Sequence, residues 1–92
     1  MTKFEWDAGK AELNIRKHRV SFEEAATVFL LDEFSATIAD PDHSDTENRF
    51  ITVGLSAKGR LLTICYTERC EFIRVISARP VTGQERETYE EH

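Results

Sequence analysis

The sequence predicts an α+β domain: an N-terminal helix pair packed on one face of a small antiparallel sheet, a meander of about four strands, followed by a short C-terminal helix. Three observations predict it. Two capped amphipathic segments occupy the first third of the chain, three alternating segments joined by short turns fill residues 49–78, and a third capping signal stands at Thr82. The chain has 92 residues, 40% of them hydrophobic and 32% charged, which fits a single domain spanning 1–92. No apolar run approaches the roughly 18 residues of a membrane span, so no membrane association is expected. The opening Met1-Thr2-Lys3-Phe4-Glu5-Trp6-Asp7 places acids where a signal or transit peptide would carry a basic lead, so the cytoplasm is the expected location.

A first helix is expected from about Ala8 to His18, with Asp7 as N-cap. Ala8, Ala11, Ile15 and His18 recur at helical spacing and form its expected buried face, whereas Lys10, Asn14 and Lys17 form a second stripe, read as solvated. In Val20-Ser21-Phe22-Glu23-Glu24-Ala25, Ser21 can accept from the Glu24 N–H while the Glu24 carboxylate reaches back, and Val20 can staple onto Ala25. The second helix therefore starts at Ser21, buries Phe22, Ala25, Ala26 and Phe29, and ends near Leu31-Asp32. Phe34 to Ala39 alternates weakly and reads as a strand. Asp40-Pro41-Asp42-His43-Ser44-Asp45 follows as a solvated turn, lacking the glycine and terminal acid of a helix-flanked calcium loop.

Arg49 to Ser56, Arg60 to Glu68 and Glu71 to Ala78 carry the clearest strand signals. With Lys58-Gly59 and Arg69-Cys70 as two-residue turns, Val53 falls opposite Ile64, Ile51 opposite Tyr66, Leu55 opposite Leu62 and Ile64 opposite Val75. One face then gathers the aliphatic residues for the helices, with Arg49 meeting Glu68 at its rim. Phe50, Thr52, Thr63, Cys65, Thr67, Phe72, Arg74 and Ile76 fall on the other face, where an arginine among hydroxyls and aromatics can hold a phosphate with bases stacked nearby. Thr82-Gly83-Gln84-Glu85 is a second capping box, opening a polar helix that carries Arg86 and Tyr89. Its thin apolar stripe makes it weakly docked and open to displacement by a partner.

The net charge of −5 argues against a polyanionic partner, but Arg49 through Arg79 holds six basic residues and two acids, a basic island of +4. Cys65 and Cys70 have no neighbouring cysteine pair or histidine at zinc spacing and read as reduced thiols, and the three histidines make no metal cluster. No cofactor motif is present: the chain contains no glycine-rich phosphate loop and no nucleophile elbow.

Phe4-Glu5-Trp6-Asp7, Lys10, Asn14, Lys17-His18, Val20-Ser21-Phe22-Glu23-Glu24-Ala25 and Val28-Phe29 together closely resemble the BrnT family of bacterial type II toxins. So do Arg49-Phe50-Ile51-Thr52-Val53-Gly54, Gly59-Arg60-Leu61-Leu62, Tyr66-Thr67-Glu68-Arg69, Arg74-Val75-Ile76-Ser77-Ala78-Arg79 and Glu85-Arg86 with Tyr89. The resemblance covers nearly the whole chain. It implies a RelE-like fold, ribonuclease activity that arrests translation and growth, and neutralisation by a BrnA-type ribbon-helix-helix antitoxin that binds operator DNA, making the toxin a corepressor too. Three departures stand out. Arg19 and Cys70 occupy positions where the family often has glycine, Arg19 at a cost of about 1 kcal/mol if the left-handed geometry persists. Pro80 and Gly83-Gln84 replace residues that are often basic, which should weaken RNA contact.

Cleaving RNA without a metal requires a base for the 2′-hydroxyl, an acid for the leaving 5′-oxygen and fixed cations for the phosphorane. The expected catalytic set is Arg74 as principal clamp, Arg79 and Arg49 assisting, Glu68 as candidate base and Tyr89 as candidate acid or stacking platform. Lys10, Trp6, Phe72 and Arg69 form the expected substrate-binding set; Trp6 is also read as a core lid, and His18 as a core histidine. Pairing with Arg49 would make Glu68 a poorer base. Two other readings stand beside the ribonuclease: a catalytically weak or inactive module that caps its antitoxin as corepressor, and an orphan domain that binds nucleic acid through its sheet.

Overall fold

The computed structural model describes residues 3–33, 35–39 and 49–91. In chain order these form β1 (Lys3–Glu5), α1 (Ala8–His18), α2 (Phe22–Leu31), β2 (Ala36–Ala39), β3 (Arg49–Leu55), β4 (Leu61–Arg69), β5 (Phe72–Pro80) and α3 (Gly83–Glu90). The turn expected at 40–45 lies outside the described residues, as does Phe34 at the head of the strand expected before it. The sheet has the order β1-β5-β4-β3-β2. β2 through β5 form the expected antiparallel meander, and a fifth strand, β1, is added parallel to β5 at the far edge. Three residues are too few to show a period on their own, so β1 escapes a pattern reading.

All three helices begin at the capping residues expected. Asp7 accepts from the Lys10 N–H (2.9 Å), Ser21 from the Glu24 N–H (3.0 Å) and Thr82 from the Glu85 N–H (3.2 Å). The face that α1 buries is not the one expected. Asn14 is only 6% exposed, whereas Ile15 is 46% exposed and Ala8 lies at the surface. The Asn14 amide donates to Val20 O (2.9 Å) and Ala78 O (2.7 Å), and its oxygen accepts from Ala78 N (3.1 Å). These backbone groups, where the helix pair meets β5, would otherwise be buried unpaired, and satisfying them outweighs burying one more aliphatic side chain. Arg19 does adopt the left-handed conformation (φ 59°), closing α1 through Arg19 N to Ile15 O.

Glu24 departs from the capping box as well. Its carboxylate accepts from Ser56 Oγ (2.7 Å) and Arg60 Nε (3.0 Å), and pairs with a second guanidinium nitrogen of Arg60. Arg60 also donates to Arg19 O (2.9 Å), so one buried carboxylate ties α2 to the β3–β4 loop and to the end of α1. The core lies between the helix pair and the sheet. Val20, Phe22, Ala25 and Val28 meet Leu62, Ile64, Tyr66, Val75 and Ala78. Aromatic contacts extend it, Trp6 onto Phe22 and Phe29 edge-on to Tyr66 (centroids 5.9 and 4.9 Å).

The expected register is off by one residue between β3 and β4. Val53 pairs with Thr63, Ile51 with Cys65 and Leu55 with Leu61. The loop explains the slip: Ser56 N to Arg60 O (2.8 Å) and Gly59 N to Ser56 O (2.9 Å) enclose three residues, Ala57-Lys58-Gly59, with Gly59 at φ 78°. A three-residue loop ending in a left-handed glycine adds one residue to a two-residue turn and turns the whole strand over. Phe50, Thr52 and Gly54 therefore face the helices. A Cβ on Gly54 would stand 2.5 Å from Val28 Cγ1, so α2 rests against the strand backbone there.

The second turn uses Cys70-Glu71 instead of Arg69-Cys70, with Cys70 at φ 51°. This slip is two residues, so Tyr66 replaces Ile64 opposite Val75 and every side chain keeps its face. Between those strands Tyr66 pairs with Val75 but Cys65 with Ser77, leaving Ile76 as a bulge.

Candidate functional site: an arginine row on the open sheet face

Alternation from the observed register places a cross-strand row on the face away from α1 and α2. Arg49 of β3 stands opposite Thr67 of β4, Thr67 opposite Arg74 of β5, and Arg74 opposite Glu5 of β1. Four strands thus put two guanidinium groups, a hydroxyl and a carboxylate in line. Arg74 Nη1 lies 3.8 Å from Glu5 Oε2, both side chains half-exposed. Thr67 is 3% exposed, and its hydroxyl has no hydrogen-bond partner among the described residues. The next row toward the hairpin holds Arg69, Phe72 and Lys3, with the Lys3 ammonium 5.7 Å from the Phe72 ring centre.

In the other direction the face carries Ile51, Cys65 and Ser77, then Val53, Thr63 and Arg79. Arg74 and Arg79 lie an odd number of residues apart and would face opposite ways on a regular strand; the bulge at Ile76 brings both to the open face. Arg79 is engaged there. Its two terminal nitrogens donate to the two oxygens of Glu85 (2.8 and 2.9 Å), which also accept from Thr63 Oγ1 and Thr82 N (both 2.9 Å). The Arg79 guanidinium, more than any other group, holds the Glu85 carboxyl down to about 2. Glu85 so anchors α3 over one end of the open face, and Tyr89 anchors its other end by donating to Asp32 Oδ2 (2.8 Å), which raises the phenol pKa. Between α3 and the strands runs a cleft of about 340 Å³, floored by aliphatic side chains of β2 and β3.

The structure therefore brings together Arg49, Arg74, Arg69 and Phe72, and sets Arg79 farther along the same face beneath α3. Tyr89 belongs to α3 and is not in the row. Glu68 is not beside Arg49: it pairs with Ile73, and alternation puts it on the other face, exposed at the sheet's end. The one-residue slip is the reason, since it gives Arg49 to Thr67. Trp6 packs on Phe22 within the helix-side core. Lys10 is exposed on α1, in the layer behind the sheet, and His18 is half-buried. Glu5 was not among the expected site residues, and Thr67 was expected on this face without a role. The signal for Glu5 was the alternation of Lys3-Phe4-Glu5-Trp6, which sends Phe4 and Trp6 inward and Glu5 outward. Among the described residues no cluster of three or more His, Cys, Asp or Glu side chains is arranged to hold a metal ion, and no helix is long and apolar enough to cross a membrane.

Fold and site together define a small α+β domain whose helix pair covers one side of a mixed five-stranded sheet and whose arginines line the other. The family model described as the ribonuclease toxin, BrnT, of type II toxin-antitoxin systems matches residues 6–85, and the chain belongs to this BrnT family. Its fold is similar to that in the 1.1 Å crystal structure of the Brucella abortus ribonuclease toxin BrnT, with a TM-score of 0.65 and 21% sequence identity over 89% of this chain and 99% of that one. No curated protein sequence matches the chain. Membership of a type II toxin-antitoxin family implies an RNA target and an antitoxin partner.

Proposed function

We propose that this chain is a single-domain cytoplasmic endoribonuclease, spanning 1–92, that cleaves RNA on its open sheet face without a metal ion and thereby inhibits translation. A BrnA-type ribbon-helix-helix antitoxin neutralises it, and the pair represses its operon through operator DNA held by the antitoxin. The observation that carries this reading is the row Arg49, Thr67, Arg74, Glu5. A phosphate seated on Thr67 meets a guanidinium on either side and a buried hydroxyl that lacks a partner among the described residues. In the reaction the 2′-oxygen forms a bond to phosphorus as the bond to the 5′-oxygen breaks, leaving a 2′,3′-cyclic phosphate and a free 5′-hydroxyl. Arg74 and Arg49 stabilise the charge gathered on the phosphorane, a task arginine performs because it stays protonated. Glu5 is the carboxylate within reach of that phosphate and takes the 2′-proton in place of Glu68, which lies across the sheet. Lys3, Arg69 and Phe72 extend the path for the strand. Tyr89 stays protonated, with its proton committed to Asp32 in the resting protein.

Purified, antitoxin-free protein incubated with total RNA and EDTA tests this. Cleavage that leaves cyclic phosphate and 5′-hydroxyl ends, and that is lost in Arg74→Ala while the variant's stability stays within about 1 kcal/mol of the parent, is the expected result. Intact RNA in the presence of folded protein would overturn the enzyme and favour the corepressor alone. The capture of Arg79 by Glu85 and the net charge of −5 support that second reading.

A further inference from the structure

The cleft beneath α3 is apolar on one side and polar on the other, and it adjoins the arginine row. Its floor is Ile38, Ile51 and Val53; its wall is Gln84, Thr88 and Tyr89. Ile38 is largely exposed, so the floor is not covered by α3 as it stands. Ile51 follows Arg49 on the same face of the same strand, two residues and roughly 7 Å along. That is close to the separation of phosphate and base within one nucleotide. A volume of about 340 Å³ lies at the small end of the range for ligand clefts, about 300–1,000 Å³, and suits a single ring system better than a peptide segment.

We propose that this cleft is a nucleobase pocket that selects the nucleotide at the cleavage site. The proposal rests on the ribonuclease reading for its role, though not for its binding. A phosphate held by Arg49 and Arg74 directs the attached base toward Ile51. There the aliphatic floor takes one face of the ring and Tyr89 borders the other. The Tyr89 hydroxyl bond to Asp32 fixes the aromatic wall in place, so little side-chain freedom is lost when a base enters. Selectivity comes from the helix side. The Gln84 amide offers two donors and an acceptor to a base edge, and Thr88, held one turn further along by donating to Gln84 O (3.1 Å), leaves hydroxyl lone pairs facing the same space. The Arg79–Glu85 pair closes the end of the pocket, so the site discriminates by shape as well as by hydrogen bonding.

Methyl-resolved NMR of the full chain tests this with the four nucleoside 3′-monophosphates, ribose 5-phosphate and inorganic phosphate as probes. The methyls of Ile38, Ile51 and Val53 should shift with at least one nucleotide and not with the two phosphates that carry no base. Ile51→Trp, which fills the floor, should weaken that nucleotide about tenfold or more, the loss expected for one stacked base. Gln84→Ala, at an exposed helix position that cannot disturb the core, should change the order of affinity among the four nucleotides. Methyls silent at saturation, equal shifts with ribose 5-phosphate, or an unchanged order in Gln84→Ala would overturn the pocket. Cleavage lost in Arg74→Ala with a silent cleft refutes the pocket alone; nucleotide-responsive methyls in a protein that leaves RNA intact refute the ribonuclease alone.

Discussion

Replacing Glu85 with glutamine keeps the length of the side chain and removes its charge, so the variant isolates what the Arg79–Glu85 pair contributes. The carboxyl sits at about 2, lowered from an ordinary 4.5 first by the hydrogen bonds of Arg79 and then by those of Thr82 and Thr63, against an opposing push from burial. A depression of this size corresponds to about 3 kcal/mol, and solvent screening reduces it to ~2 kcal/mol because the side chains remain 39% and 26% exposed. A lowered carboxyl pKa stabilises the fold fully above 4.5, and that contribution fades as the pH falls toward 2. Glu24, lowered chiefly by its hydrogen bond from Arg60, adds an acid limb of its own, but it does so in parent and variant alike. Urea unfolding from pH 7 down to pH 2.5 should therefore show a gap of ~2 kcal/mol between the proteins at pH 7 that closes progressively below pH 4.5. Amide exchange in 83–90 should quicken in the variant, because Glu85 is the main anchor of α3. A gap below about 0.5 kcal/mol, or one that does not change with pH, would mean that the pair is an ordinary solvated contact and that α3 is held by something else.

Other consequences are more local. Asn14→Ala removes three hydrogen bonds to buried backbone and should cost about 3 kcal/mol, lowering the melting temperature by roughly 10–20 °C, whereas Lys17→Ala on the same helix should change stability by less than about 0.5 kcal/mol. Calorimetry of both variants checks this, and equal melting points would refute the anchoring role. Arg19→Gly relieves a left-handed residue at φ 59° and should raise the urea midpoint by the equivalent of about 1 kcal/mol, since the Arg19 carbonyl that accepts from Arg60 is retained; a lowered midpoint would show that the arginine side chain earns its place.

The caps at Asp7, Ser21 and Thr82 were legible in the sequence because each is a local event settled within four residues. The faces of β4 and β5 were legible too, since Leu62, Ile64, Tyr66 and Val75 alternate strongly enough to survive a turn misplaced by two residues. β3 was not. Ile51, Val53 and Leu55 are the more aliphatic set, and alternation alone gives them to the core. Whether they reach it depends on the loop at Ala57-Lys58-Gly59, where one residue reverses the answer. Asn14 and Glu24 were misread for a related reason: their partners, Ala78 and Val20 for one and Ser56 and Arg60 for the other, come together only when the chain folds. In the candidate site Arg49, Arg69, Arg74 and Phe72 were recognisable by residue type. Glu5 and the role of Thr67 emerge only once β1 is known to lie beside β5 and the true register is in hand.

The parallel edge strand has a consequence in time. Residues 3–5 find their partners at 72–74, near the opposite end of the chain, whereas the hairpins of the meander join neighbours. During synthesis the amino end emerges first and waits, and contacts so distant in sequence are the slow ones to form. The helix pair and the β3–β4 hairpin can gather while most of the arginine row is still missing. Its final member, Glu5 beside Arg74, is in position only after β5 has left the ribosome. A polypeptide proposed to attack RNA thus spends its translation without the assembled row, and acquires it at about the moment it is released to meet its antitoxin.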